Sequence, residues 1–362
     1  MPEPRIAKAV TLSLLLAGFI AASPPAIAQS VPPTADRWSK VTPLPGPRTK
    51  IRIALSPSNI WTVPLIYGVK KGYFARANID VEITKSSQPS IMFAPLLARG
   101  DFDLLPQTPA PSFYNLIRQQ FNVKAVSVFT VPKAGRSEAA WLTVMKDRSH
   151  SIRDLADLRG KVVEGAGLGT TANFLVFSAL KKAGLTAGKD VKIQSHAKLA
   201  GDFLPVIKSN QQDVVSVIEP VATQAERQGY VKRWKTFSDI APWFQSALVV
   251  SSENFLKKNG PAMRTFLEVY LLSCREVNAS NGQWSSDTLD LLSQWTNIDA
   301  GIIRAMGGVP YCDPNGEVSA DSLDHSQKLW IETGALKEAI DVNTLIDPVP
   351  TADALKVIGR MQ

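Results

Sequence analysis

The segment with the clearest chemical potential is Lys161-Val-Val-Glu-Gly-Ala-Gly-Leu-Gly-Thr170-Thr171, which leads into Asn173–Gly184. An apolar strand runs into a glycine-rich turn, and hydroxyl residues then open a helix. The unpaired N–H groups and the dipole at such a terminus attract anions. Thr170 and Thr171 can cap the helix and donate hydroxyls. The spacing Gly165-x-Gly167-x-Gly169 is neither a dinucleotide fingerprint nor a phosphate loop, because no third glycine follows in register and no Gly-Lys-Ser/Thr is present. A plain N-cap on a tight turn is the simpler alternative. Glu219 ends the apolar run Val214–Ile218 and precedes Pro220, where a carboxylate can accept from a ligand's amino group or serve the first turn of the next helix. Asn59 and Trp61 offer an adaptable hydrogen bond and a stacking face, or a capped turn and a core aromatic. Ser86, Ser87, Gln88 and Thr108 are polar residues at strand ends, with turn and cap roles as the alternative. The histidines at 150, 196 and 325 lie in unrelated contexts, and no nucleophile elbow or paired-histidine motif accompanies them. No catalytic set, metal site or cofactor is therefore expected.

The elements that must position these residues alternate. Strands are expected at Ile51–Leu55, Ile79–Ile83, Asp103–Leu105 and Val123–Phe129, with helices Pro64–Phe74, Ile91–Arg99 and Phe113–Gln120 between them. A second series follows: strands Trp141–Val144, Lys161–Glu164, Val191–Gln194, Val214–Ile218 and Leu248–Ser251. Its helices are Asp154–Leu158, Thr171–Ala183, Asp202–Ser209 and Pro220–Gln228. Such alternation indicates parallel sheet built from β-α-β units. Ligands of open parallel sheets sit beyond the carboxyl ends of the strands, where the residues above fall. Two segments echo each other: Arg99-Gly100 followed by Asp103, and Ser209-Asn210 followed by Asp213. Each has a left-handed helix stop and then an Asp entering a strand. Beyond Pro261 the pattern is helical.

The chain has 362 residues, 45% hydrophobic and 20% charged, with a net charge of +8 and no run of five basic residues. This composition fits a globular protein of two or three domains and gives no support for nucleic-acid binding. Arg5 and Lys8, the apolar run Ala9–Ala22 and Ala26-Ile27-Ala28 form the three regions of a secretory signal, expected to end at residue 28. A Pro-rich leader, residues 29–50, is expected to be extended and outside the core. Export makes the two cysteines, Cys274 and Cys312, either a disulfide or buried thiols. Cys274 lies on the stripe Met263, Phe266, Leu267, Tyr270, Leu271, Cys274, Val277, the spacing of one buried helix face.

The order of these motifs carries a resemblance. Lys71-Gly72-Tyr73-Phe74, Ile79-Asp80-Val81-Glu82, Ala98-Arg99-Gly100-Asp101-Phe102-Asp103, Ile152–Val162, Gly169-Thr170-Thr171, Lys182-Ala183-Gly184-Leu185 and Glu219-Pro220 follow one another over residues 51–297. The chain resembles periplasmic ABC-transporter substrate-binding proteins of the sulfonate, taurine, nitrate and thiamine-pyrimidine type. That resemblance implies a two-lobed α/β periplasmic-binding-protein fold (type II), with parallel-dominated sheets flanked by helices and a ligand cleft between the lobes. Lobe one would comprise 51–140 and 251–362, and lobe two 141–250, with hinge strands near Trp141–Met145 and Ala247–Val250. It implies a periplasmic monomer that closes on a small ligand and docks on an inner-membrane permease with its ATPase, and no nucleic acid. The ligand-binding set would be Asn59, Trp61, Gln88, Thr108, Gly169, Thr170, Thr171 and Glu219. The family commonly has Gly where Gln88-Pro89 stands, and an aromatic where Ile218 stands. A small anion or zwitterion is the expected solute, an aminopyrimidine the alternative. An exported ligand sensor and an enzyme on the same fold are further alternatives; the enzymes are typically cytoplasmic, which the signal peptide argues against.

Overall fold

The structure, a computed structural model, describes residues 38–55, 60–86, 88, 90–197, 202–281 and 283–362. The signal peptide expected at 1–28, the leader up to residue 37 and the candidate Asn59 lie outside the described residues. Among the described residues no helix is long and apolar enough to cross a membrane.

Ten strands follow in chain order: β1 Thr49–Leu55, β2 Ile79–Lys85, β3 Leu104–Gln107, β4 Val123–Thr130, β5 Ala140–Met145, β6 Val162–Glu164, β7 Lys192–Gln194, β8 Val214–Ile218, β9 Val231–Thr236 and β10 Ala247–Ser252. They form two five-stranded sheets, ordered β2-β1-β3-β10-β4 and β7-β6-β8-β5-β9. In the first, β1 is parallel to β2 and β3, and β10 is antiparallel to β3 and β4. In the second, β6 is parallel to β7 and β8, and β5 is antiparallel to β8 and β9. Each sheet thus has four strands pointing one way and one reversed. The reversed strand in each case is the first to arrive from the other sheet. The chain passes between sheets at 131–139 and 237–246, just outside the Trp141–Met145 and Ala247–Val250 segments.

The two echoed segments perform one job twice. Gly100 (φ 87°) and Asn210 (φ 53°) stop their helices in the left-handed region, which glycine and asparagine tolerate. Asp103 then accepts the backbone N–H of Arg52 at 2.8 Å, and Asp213 that of Val162 at 2.8 Å. Each carboxylate ties the entry of its own strand, β3 or β8, to the neighbouring parallel strand, β1 or β6, satisfying a backbone donor that the ladder leaves open.

Two expectations about elements change. The helix expected over Pro64–Phe74 divides into Val63–Lys70 and Tyr73–Arg76, because Gly72 takes φ 73° between them. The edge strand β9 had no counterpart in the sequence reading. Its charged composition, Val-Lys-Arg-Trp-Lys-Thr, lacks the apolar run of the other strands, yet suits an exposed sheet edge. The described part of the leader is also less detached than its proline content suggests. Trp38, Val41 and Leu44 pack against the first lobe's core, and Trp38 sits 3.8 Å, centroid to centroid, from the Tyr73 ring.

The long helix Glu253–Ala279 buries the whole stripe from Met263 to Val277, as its spacing predicts. Its start is broken at Asn259 (φ −129°), two residues before Pro261, whose ring displaces the preceding turn. A disulfide joins Cys274 on this helix to Cys312. One core cluster runs through both lobes. Leu105, Phe113 and Tyr114 of the first and Leu142, Val163 and Phe174 of the second share it with Phe237, Phe244 and Trp330.

Candidate functional site

The glycine-rich turn is built by its own backbone. Gly169 adopts φ 86°, open to glycine with no Cβ to strain. Thr170 is the N-cap of the helix Thr171–Ala183: its hydroxyl donates to Gly167 O at 2.8 Å and accepts from Asn173 N at 3.2 Å. The first N–H groups of a 13-residue helix therefore emerge at the carboxyl end of β6. Beneath the turn lies Glu164, fully buried, whose oxygens accept from Ala166 N (3.0 Å), His196 N (3.1 Å) and Ala197 N (3.3 Å). It fastens the turn to the 196–197 loop, and the His196 ring also contacts it at 3.2 Å.

The first lobe meets this terminus directly. Thr108, just past β3, places its hydroxyl 3.4 Å from that of Thr171. A Cβ on Gly169 would lie 3.4 Å from Pro111, which opens the helix Pro111–Arg118. The carboxyl ends of β3 and β6 thus face each other in contact. Two nearby side chains are buried with an open valence. Gln107, the last residue of β3, is 4% exposed and its Nε2 has no hydrogen-bond partner among the described residues; Asn173, in the first turn of the helix, is 1% exposed and its Oδ1 has none. Buried polar atoms are normally paired, so these two stand out as an open donor and an open acceptor near the helix N-terminus.

The other candidates are placed differently. Glu219 is fully buried, and its oxygens are taken by Thr223 N (3.1 Å), Thr223 Oγ1 (3.0 Å) and Arg233 Nη1 (3.3 Å). Burial pushes its carboxyl above the usual range, and the Thr223 and Arg233 contacts offset this only in part. Arg233 is itself held by Glu226 at 2.7 Å and by the face of Trp141. Trp61 is half-buried and packs between two clusters of the first lobe. Gln88 is exposed, its backbone N–H bonded to Ser86 Oγ at 3.1 Å. Thr108, Gly169, Thr170 and Thr171 are brought together. Gln107 falls among the strand-end residues but outside the expected ligand set; Asn173 and Glu164 were missed, although a carboxylate that ends an apolar strand was a usable signal for Glu164.

A family model described as NMT1/THI5 like matches residues 59–279, more than half of the chain. The chain belongs to the NMT1/THI5-like family. No curated protein matches it. Among solved structures, this family member is similar to the periplasmic aliphatic sulphonate binding protein of Escherichia coli, with TM-score 0.68 and 19% identity over 84% of this chain and 93% of that one. It is similar to the periplasmic nitrate-binding protein of Synechocystis, with TM-score 0.68 and 16% identity over 86% and 89%. A desulfurization enzyme shares the fold at TM-score 0.58 and 12% identity, over 85% and 99%. These likenesses, with the two sheets, establish the periplasmic-binding-protein fold for this NMT1/THI5-like chain. Where the family commonly has an aromatic before Glu-Pro, Ile218 is half-buried and packs against the second lobe's clusters, next to the engaged Glu219.

Proposed function

We propose that the chain is the exported solute-binding component of an ABC importer. It would take a small anionic or zwitterionic solute, of the sulfonate, taurine or nitrate kind, into the cleft between the sheets and carry it to a membrane permease and its ATPase. Closure would occur by bending of the 131–139 and 237–246 crossings around the bound solute. The observation that carries this reading is the meeting of Thr108 with Thr171 at the N-terminus of the Thr171–Ala183 helix, with Gln107 Nε2 left open beside it. Hydroxyls, a helix N-terminus and a buried amide donor are groups suited to anionic oxygens. The +8 net charge of the whole sequence supports attraction of an anion, though only weakly. Glu219 would not take a ligand amine in this arrangement, because Thr223 and Arg233 occupy it. That weighs against the aminopyrimidine alternative.

The reading is tested by calorimetric titration of the mature protein with taurine, ethanesulfonate, nitrate and an aminopyrimidine. At a hundred times its dissociation constant a ligand adds about 2.7 kcal/mol of stability, so thermal unfolding screens the same panel. An anion is expected to bind, and Thr171→Ala to weaken it by roughly ten-fold or more, the loss of one hydrogen bond to a charged group. Binding of the aminopyrimidine alone would overturn the solute class. Conversion of a panel compound to product would move the assignment to an enzyme.

A further inference from the structure

The crossings between the lobes are joined to each other by a polar clasp at either end. At the first-lobe end, Thr130 and Ser246 share a 2.7 Å hydroxyl contact, and Ser246 N donates to Thr130 O at 3.2 Å. At the second-lobe end Glu138 stands beside Ser238 of the other crossing, whose hydroxyl is bonded to Thr236 Oγ1 at 2.9 Å. The first clasp carries no ionisable group; the second carries a carboxyl that is 4% exposed, with Oε1 lacking a hydrogen-bond partner among the described residues. Glu138 stands two residues before β5, and the register pairs Ala140, the first residue of β5, with Ile218 at the carboxyl end of β8. It therefore lies at the cleft end of the second sheet, in the segment that any rotation between the sheets must bend.

Among the described residues, no cation is a leading influence on this carboxyl. Asp239, on the Phe237–Ile240 helix, adds a second negative charge. On the same crossing, Lys133 lies over the Tyr311 ring at 5.6 Å and Arg136 donates to Asn278 O at 3.0 Å. From the Thr171–Ala183 helix, Lys182 donates to Asp239 O at 2.5 Å. From the helix Ala320–Glu332, His325 packs on Trp243 of the second crossing and bonds to Asp321 O at 2.7 Å. Burial is the dominant influence and pushes the Glu138 carboxyl up to about 7; Ser238 and the Lys133 backbone offset it only in part. The described conformation, with Thr108 against Thr171, brings the strand ends of the two sheets into contact and buries this carboxyl.

We propose that Glu138 couples cleft closure to pH: protonated, it remains in the dry clasp and favours the closed form, and ionised, it favours an open form that admits water to it. The sign follows from linkage. The closed form holds the proton more tightly, so closure is favoured most below the ordinary carboxyl value of 4.5, weakens as pH rises to about 7 and levels off above it. Closure takes up a proton. The affinity arm of the test rests on the solute-binding reading, and the scattering arm does not.

Small-angle scattering of the unliganded mature protein at pH 5.5 and 7.5 should show a larger radius of gyration at the higher pH, and Glu138→Gln should abolish the change. Ethanesulfonate keeps its charge over this range, so its titration reads the protein alone. Its affinity should fall about ten-fold between the two pH values in the wild type, whereas Glu138→Gln should hold the low-pH affinity throughout. Every other ionisable side chain is retained in that variant. Ser238→Ala removes a donor to the ionised form and should move the transition to higher pH, which gives a second reading if Glu138→Gln folds poorly. A wild-type radius that does not change, or a pH dependence that survives Glu138→Gln, would overturn the switch. A radius that changes without ethanesulfonate binding supports the switch and contradicts the solute class.

Discussion

At the residue scale the candidate site rests on a few polar atoms and on which of them are already satisfied. Gln107 Nε2 has nothing to lose when no solute is present. Gln107→Leu should therefore leave the denaturant midpoint of the free protein within about 1 kcal/mol of wild type, or raise it, while weakening anion binding roughly ten-fold. A parallel loss of stability and affinity in urea titration and calorimetry would make Gln107 a structural residue. Glu219 gives the opposite pattern. Glu219→Ala strips Thr223 and Arg233 of their acceptor and should cost about 3–5 kcal/mol of stability in the same urea titration, leaving the order of affinities across the solute panel unchanged. Thr170 and Thr171 were legible because a hydroxyl pair between a glycine turn and an apolar helix is a local pattern. The engagement of Glu219 was not, because Arg233 reaches it from a strand fourteen positions on. Asn173 was hidden for a similar reason: an amide inside a helix reads as surface until the neighbouring loop is known to cover it.

At the element scale, the glycine turn and the strand ends set how closely the lobes approach. Gly169 combines a left-handed backbone with a 3.4 Å approach to Pro111. Gly169→Val should lower stability by about 1–2 kcal/mol through backbone strain, and should reduce solute affinity by more than that loss of stability explains, because the branched side chain wedges the contact open. Comparison of the unfolding free energy with the binding free energy separates the two effects. The β-α alternation, the two echoed helix stops and the 263–277 stripe were readable in the sequence because each follows a short period. β9 was not, since Lys232, Arg233 and Lys235 mask an edge strand whose pairing with β5 is a long-range fact. The turn at Gly72 was passed over because the apolar spacing continues through it to Phe74.

At the scale of the whole molecule, two lobes of one topology are held by more than their crossings. Phe174 stacks on Phe244 at 4.3 Å between centroids and meets Trp330 at 5.1 Å, while Trp330 Nε1 donates to Pro109 O at 2.9 Å. The Ala320–Glu332 helix thus touches both lobes beside the strand-end contact. Trp330→Ala should destabilise the protein by about 3–5 kcal/mol, and thermal unfolding should remain one cooperative transition in the wild type because the core is shared. The Cys274–Cys312 disulfide spans 38 residues, and its replacement by Cys274→Ser with Cys312→Ser should lower stability by about 2–4 kcal/mol in urea titration. The central claim is that an anionic solute is held between the lobes at the N-terminus of the Thr171–Ala183 helix. A crystal structure of the mature protein grown with the tightest-binding anion of the panel tests it most directly. The account predicts the anion within hydrogen-bond distance of Thr171, Thr108 and Gln107 Nε2; an anion seated elsewhere, with Thr108 and Thr171 still in mutual contact, would contradict it.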